Sequence, residues 1–512
     1  MLQKKKEKAM SKFHSVLSRR EFMKKIGMAG AGLGAASLTA PVFHDLDEVI
    51  SASDEGKSLE PWWVKEQDYE KPTVEFSFDK LVRPDMAALT TYTTYRDVYG
   101  QDLKNHPIVK AWGYDQYLKY KDQQSTAAKE GLLQKLPGND LKQKAIAEGA
   151  AFGHTKDFPE FFLGDPDPLT PEKLGVPKWQ GTPEENLKLV RVANRFYGAA
   201  KTNATTLWNE HYRNFFWIKG RDYEGPVNYN NYSVASPTRN IEFEDVEKPY
   251  TTATKKVIPK SFKDIVVWMI PQSDYITRIG PATTPERGRI QPASTMAYSN
   301  LHITERRFQR FMRCLGYWAL GGGTGALAPI TAWAVFAGLG EMSRMNPLLT
   351  TEWGTMIRST VIDMTDMPLA PTKPIDAGMW KFCHVCGLCA QACSFGALSL
   401  DKEPSWETKG WFNYPGKKIF FIDYSKCQIH REATSGCDNC MCSCPFSKQE
   451  YASVHDVIQQ TVATTSLFNS FFVTMDQAFG YGNTIDEEEF WNRLDLPVNG
   501  IDSTRGGLKR FH

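Results

Sequence analysis

Nine of the ten cysteines in this 512-residue chain fall between Cys383 and Cys444. The first four, Cys383, Cys386, Cys389 and Cys393, are separated by two, two and three residues. A short loop with that spacing can wrap a cubane of iron and sulfide and offer thiolates to several of its irons. A second run, Cys427, Cys437, Cys440 and Cys444, keeps the last two gaps and ends in Pro445, with its first gap stretched to nine residues. Whatever fold the chain adopts must bring these two runs together.

In two-cluster ferredoxins the fourth cysteine of each run ligates the other cluster. Cys383, Cys386, Cys389 and Cys444 are therefore assigned to one [4Fe-4S] cluster, and Cys393, Cys427, Cys437 and Cys440 to a second. Zinc ribbons and disulfide frameworks are the alternatives, since both use closely paired cysteines. Disulfide scaffolds are usually small domains, which a chain of 512 residues is not. Ser394 stands where a proline would complete the first run. Cys314 and Cys442 fit neither run, and Cys442 is expected to pack beside a cluster.

The length suffices for two or three domains and a substantial core. With 61 basic against 59 acidic residues, charge gives no case for a nucleic-acid partner. Aromatics make up 12% of the chain, including 14 Trp and 29 Phe. Such an interior can enclose a large planar cofactor or an apolar ligand, or can be an ordinary large core.

Near the start, Ser18-Arg19-Arg20-Glu21-Phe22 precedes a weakly apolar Gly- and Ala-rich run from Ile26 to Ala40. That is a twin-arginine export signal. Export of folded protein lets iron-sulfur clusters be inserted before transport, which reconciles thiolates with an oxidising destination. From 55 to 180 the chain is polar and irregular, and no elements are assigned. Thr182-Pro183-Glu184-Glu185 is a capping box that should open a helix running to Tyr197, stopped by Gly198. Ile265 to Ile270 is an apolar run expected of a strand buried on both faces. Phe308, Phe311, Met312 and Leu315 recur on one helical face ahead of Gly316. Val454 to Phe479 is expected to form a helix. Between Cys314 and Gly340 there is no charged residue, yet seven glycines and Pro329 argue against a membrane span. Gly321, Gly322 and Gly323 let backbone approach a flat group closely, so they are candidates to line a buried cofactor, with plain core packing as the alternative.

Taken together, the chain resembles the reductive dehalogenases, the corrinoid and iron-sulfur catalytic subunits of organohalide respiration. The likeness rests on Arg19-Arg20, the segment at 177–186, Leu315-Gly316-Tyr317, the segment Pro374 to Met379, and the double cysteine run ending Cys444-Pro445-Phe446. It implies an α+β fold: a nitroreductase-like corrinoid-binding core with an inserted two-[4Fe-4S] ferredoxin-like domain. The expected division is a leader at 1–52, a covering extension at 53–181, the corrinoid-binding core at 182–373, the ferredoxin-like domain at 374–450, and a closing helix and tail at 451–512. The corrinoid would be cobalamin-type and base-off, in keeping with the absence of an Asp-x-His-x-x-Gly motif.

The resemblance also implies a catalytic tyrosine activated by a cation. Met296-Ala297-Tyr298-Ser299 matches the tyrosine segment, and Gly338 to Arg344 matches a Gly-x-Gly-Glu-x-x-Arg segment, so Tyr298 and Arg344 are the expected pair. A cation beside a phenol favours the tyrosinate, so the proton leaves more readily. Expected partners are a small organohalide, chlorinated ethene or chlorinated aromatic, a small integral-membrane anchor protein, an upstream respiratory electron donor and the twin-arginine translocase. The expected location is the outer face of the cytoplasmic membrane. An epoxyqueuosine-reductase-like enzyme and an exported iron-sulfur electron carrier without catalysis are the alternatives.

Overall fold

The computed structural model describes residues 60–84, 110, 113–135, 140–150, 162–221, 238–279, 291–448, 454–479 and 484–502, apart from 62, 324–325, 408–412, 414 and 435. The twin-arginine segment lies outside them.

The polar stretch read as irregular contains a 20-residue helix, α1 (Tyr114–Leu133), and a shorter one at Leu141–Ala150. Sequence periodicity misses α1 because it buries only Tyr117, Gln124 and Gly131, too few for an apolar stripe. Helix α2 (Pro183–Tyr197) has the expected limits. The Thr182 hydroxyl accepts from the Glu185 N–H, the Glu185 carboxylate accepts from the Thr182 N–H, and Gly198 ends the helix at φ 121°.

Strands β1 (Lys201–Thr206) and β2 (Asp264–Pro271) pair antiparallel. After them comes the 25-residue helix α3 (Gln291–Leu315), then β3 (Ile357–Thr365), antiparallel to β2. The sheet order is β3-β2-β1, so β2 is central and its apolar residues are buried on both faces. On one face Leu301, Phe308 and Met312 of α3 pack with Leu187 and Val190 of α2 against Val266, Trp268 and Ile270. The opposite face joins a larger core that runs through Trp333 and Phe336 to the cysteine segment. A second, four-stranded sheet spans 219–259, with one parallel pair between Thr238–Glu244 and Lys255–Pro259.

The cysteine segment is built of short helices: α4 (Met379–Cys386), α5 (Leu388–Gln391), α6 (Tyr424–Thr434) and α7 (Asn439–Cys442). The stretched gap after Cys427 is accounted for by α6, whose remaining turns fill most of it before Gly436 reverses the chain at φ 125°. The single helix expected from Val454 to Phe479 is two, α8 (Val454–Thr464) and α9 (Asn469–Phe479). The break lets Val462 and Phe472 both reach the core while Leu467 stays in solvent. Among the described residues no helix is long and apolar enough to cross a membrane. Among its described residues the uncharged 314–340 stretch instead holds the last two residues of α3 and, after the glycines, a seven-residue helix at Ile330–Phe336.

Candidate functional site

The four thiols of Cys383, Cys386, Cys389 and Cys444 line one recess, together with Phe382, Phe446, Met345 and Arg344. Helix α4 carries the first two, Gly387 turns the chain at φ 67°, and α5 carries the third. Cys444 arrives from the other run, one residue before the Pro445–Ser447 turn. Burial, with the neighbouring thiols of Cys386, Cys389 and Cys444, pushes the Cys383 thiol well above its ordinary range. Burial pushes Cys389 up to about 12, and Cys444 adds to it. Protonated thiols so crowded and buried are unfavourable to ionise unless a cation joins them, which is the condition for metal-cluster ligands.

Cys393, Cys427, Cys437 and Cys440 gather as a second set. Burial pushes Cys437 up to about 12, with Asp438, Cys427 and Cys393 adding their charge. Burial and the nearby Cys437, Asp438 and Cys427 likewise push Cys440 well above its ordinary range. Among the described residues no group of three or more His, Cys, Asp or Glu side chains is gathered for a single ion. Thiols spread around a recess suit a multi-iron cluster, whose ligands stand further apart than those of one tetrahedral ion. Cys442 is buried, with its carbonyl accepting from Arg278 at 3.1 Å.

Tyr298 and Arg344 are not brought together. All five guanidinium donors of Arg344 are used on backbone carbonyls: Cys383 twice, His384, Ser399 and Asp401. Its plane lies 3.8 Å from the centroid of the Phe420 ring. Arg344 is thus spent on joining the end of α4 to the 399–401 segment and offers no donor to Tyr298, which corrects the expected pair. The cation over Tyr298 is Arg358, whose guanidinium carbon is 5.5 Å from the ring centroid.

Arg358 reaches that position through a β-bulge. The β3–β2 register shifts between Ile357 and Ser359, and a bulge of this kind re-aims one side chain. The same guanidinium donates to Gln272 Oε1 at 3.3 Å and lies 3.8 Å from Asp438 Oδ2. Gln272 also donates to Asp438 at 2.7 Å. Half-buried Tyr298 on α3 is therefore linked through one arginine to the residue that follows Cys437. Nothing in the sequence marks Arg358, because the bulge that aims it is a property of strand pairing.

Gly321, Gly322 and Gly323 have a neighbour other than the flat cofactor expected. The N–H groups of Gly322 and Gly323 donate to Glu305 Oε1 at 2.9 and 3.0 Å. A Cβ on Gly321 would run into Glu305 Oε1 and Asp363 Oδ1. The backbone of the three glycines therefore packs against a buried pair of carboxylates, Glu305 and Asp363. Asp363 is held by Trp268 Nε1–H at 2.7 Å. Burial, with Glu305 beside it, pushes its carboxyl well above the usual range. Burial pushes His302, one turn from Tyr298 on α3, down to about 4 against the pull of Glu305.

A profile of the reductive dehalogenase subunit family matches residues 60–369. The chain belongs to the reductive dehalogenase family. A chloroethene reductive dehalogenase of Dehalococcoides mccartyi (strain VS) is 30% identical over 534 residues, 96% of this chain and 99% of the relative. A trichloroethene reductive dehalogenase of another strain of that species is 28% identical over 96% of this chain and 98% of its own. Among solved structures, a catabolic reductive dehalogenase overlays with TM-score 0.52 at 18% identity, covering 86% of this chain. A reductive dehalogenase described as performing B12-dependent dehalogenation overlays at 0.52 and 17%, covering 89%. This reductive dehalogenase spans about half the length of those two structures, 52% and 55%, and shares their mixed helix-and-sheet fold. It is a catalytic subunit and an oxidoreductase, so the readings as an electron carrier or a tRNA-modifying enzyme fall away.

Proposed function

We propose that this reductive dehalogenase removes halide from chlorinated ethenes, with two [4Fe-4S] clusters and a base-off corrinoid as its redox groups. The net reaction is R–X + 2e⁻ + H⁺ → R–H + X⁻. The observation that carries the reading is the line Tyr298–Arg358–Asp438, which joins a proton donor to the second thiol set. The choice of chlorinated ethenes is supported by the names of the relatives that match over 96% of the chain.

Cys383, Cys386, Cys389 and Cys444 would hold one cluster, and Cys393, Cys427, Cys437 and Cys440 the other, linked to Tyr298 through Asp438 and Arg358. A buried cation with only carbonyl partners beside the first four thiols fits an anionic cluster there. Bound corrinoid would supply the electrons that break the carbon–halogen bond. Tyr298 would give its phenolic proton to the carbon that loses halide, and Arg358 would offer the phenolate a counter-charge. Gln272 and Asp438 hold Arg358 in place for that role.

We further propose a nitroreductase-like core over 182–373 and a ferredoxin-like insert over 374–450, preceded by a leader at 1–52 and an extension at 53–181, and closed by 451–512. Export by the twin-arginine translocase would place the enzyme on the outer face of the cytoplasmic membrane. There a small membrane anchor protein and a respiratory electron donor would serve it. Reconstituted protein assayed against chlorinated ethenes and chlorinated aromatics tests the substrate: halide release from aromatics alone overturns it. Finding the mature chain freely soluble in gently broken cells overturns the anchoring.

A further inference from the structure

Arg344 is buried, with 2% of its surface exposed. Among the described residues no carboxylate lies within ion-pair distance of it, and its donors all end on neutral carbonyls. A buried charge is unfavourable without an opposite charge nearby. The group beside it is the recess of four thiols, which Arg344 itself lines. Four thiolates around a [4Fe-4S] core carry net negative charge, so a cluster held there would be the counter-ion that Arg344 lacks.

The charges around the two thiol sets differ. At the first set Asp476, whose charge reaches Cys386, is paired with Lys448 at 2.8 Å, and no carboxylate pairs with Arg344 itself among the described residues. The Arg344 backbone N–H also favours the Cys383 thiolate. At the second set Arg431 and Arg358 are faced by Asp423 and Asp438. A cation near a cluster stabilises the reduced form, which carries one more negative charge, and so raises the potential.

We propose that Arg344 is a positioning residue that acts as counter-cation of the first cluster and sets its reduction potential above that of the second. The proposal rests on the iron-sulfur reading given above. Arg344 also fixes the Cys383 carbonyl with two of its donors, so charge and geometry have to be separated by experiment.

The test is a spectroscopic redox titration of reconstituted holoenzyme, with iron analysis, for wild type, Arg344→Gln and Arg344→Lys. Wild type should bind about eight irons; far fewer would sink the cluster reading itself. Arg344→Gln, which loses the charge, should show one midpoint moved to lower potential and the other unchanged. Arg344→Lys, which keeps the charge, should show both midpoints as in wild type. Wild-type midpoints in the Gln variant, or an equal downward shift in the Lys variant, would overturn the proposal. If Arg344→Gln fails to hold its iron, the Lys variant decides: full iron with wild-type midpoints supports the charge role, and loss of one cluster shows a purely geometric clamp.

Discussion

Glu341 and Arg344, three residues apart, grip opposite ends of one helix. Glu341 Oε2 accepts from the N–H groups of Ala377 and Met379, both at 3.0 Å, at the start of α4. Arg344 donates to the Cys383 and His384 carbonyls near its end. An anion at the N-terminus and a cation at the C-terminus both complement the helix dipole. The Gly-x-Gly-Glu-x-x-Arg segment thus locks the cysteine-bearing helix onto the core.

Removing the acid end should be costly. Glu341→Ala leaves two buried N–H groups without an acceptor, about 1–3 kcal/mol each, read as a lowered denaturant midpoint. Burial, with Asp376 adding to it, pushes the Glu341 carboxyl up to about 7 from an ordinary 4.5. The folded protein therefore binds more protons than the unfolded chain between those values, so this group's contribution to stability falls as pH rises from about 4.5 to about 7. Glu341→Gln keeps an acceptor and cannot ionise. Its stability should vary less with pH across that window than wild type; an unchanged slope would show that Glu341 does not titrate there.

Tyr298→Phe should keep iron and cobalt at wild-type levels while halide release falls by about 10²–10⁴-fold. Arg358→Met should also lower turnover, and Arg358→Lys should be milder because the cation is preserved although the planar fork is lost. Loss of corrinoid in the Phe variant would make Tyr298 structural. Full turnover with full cofactor content would point to another donor, for which Tyr317 is poorly placed because its hydroxyl is bonded to the Trp179 carbonyl at 2.8 Å.

How far the sequence carries the reading depends on whether the signal is local. The α2 capping box and its Gly198 stop involve neighbours in the chain, and both appear at the expected residues. The end of α3 shows as an apolar stripe, but its earlier turns bury His302, Thr304, Glu305 and Gln309, which erases the periodicity. Family motifs identify Arg344 as a residue of interest, yet its partners lie 39 to 57 residues away. Arg358 is aimed by a bulge between paired strands. Such facts arise only when the chain is folded.

The glycine segment offers a test of the buried acid pair. Gly321→Ala would push a methyl group into Glu305 Oε1 and Asp363 Oδ1, neither of which is the free end of a flexible surface chain. The main chain is pinned there by the reciprocal bonds of Leu320 and Met364 at 2.8 and 2.9 Å. Overpacking of this kind costs about 1–3 kcal/mol, so the melting temperature should fall. A Gly321→Ala variant as stable as wild type would show that the acids have room to move apart.

A buried ion triad ties the first described residues to the core. Lys201 on β1 is bonded to Glu60 and, at 2.8 Å, to Glu352, and all three side chains are nearly inaccessible. Burial opposes the charge on Lys201, but the two carboxylates outweigh it and hold the ammonium well above its usual range. Lys201→Met therefore removes the cation from two buried acids. Breaking a buried ion pair on one side costs about 3–5 kcal/mol, whereas replacing all its members together is often near neutral. The single variant should melt markedly lower than wild type, and adding Glu60→Gln and Glu352→Gln should recover most of the loss. Near-wild-type melting of Lys201→Met alone would mean that the acids protonate at little cost, and that the segment beginning at Glu60 is held to the core by packing and not by charge.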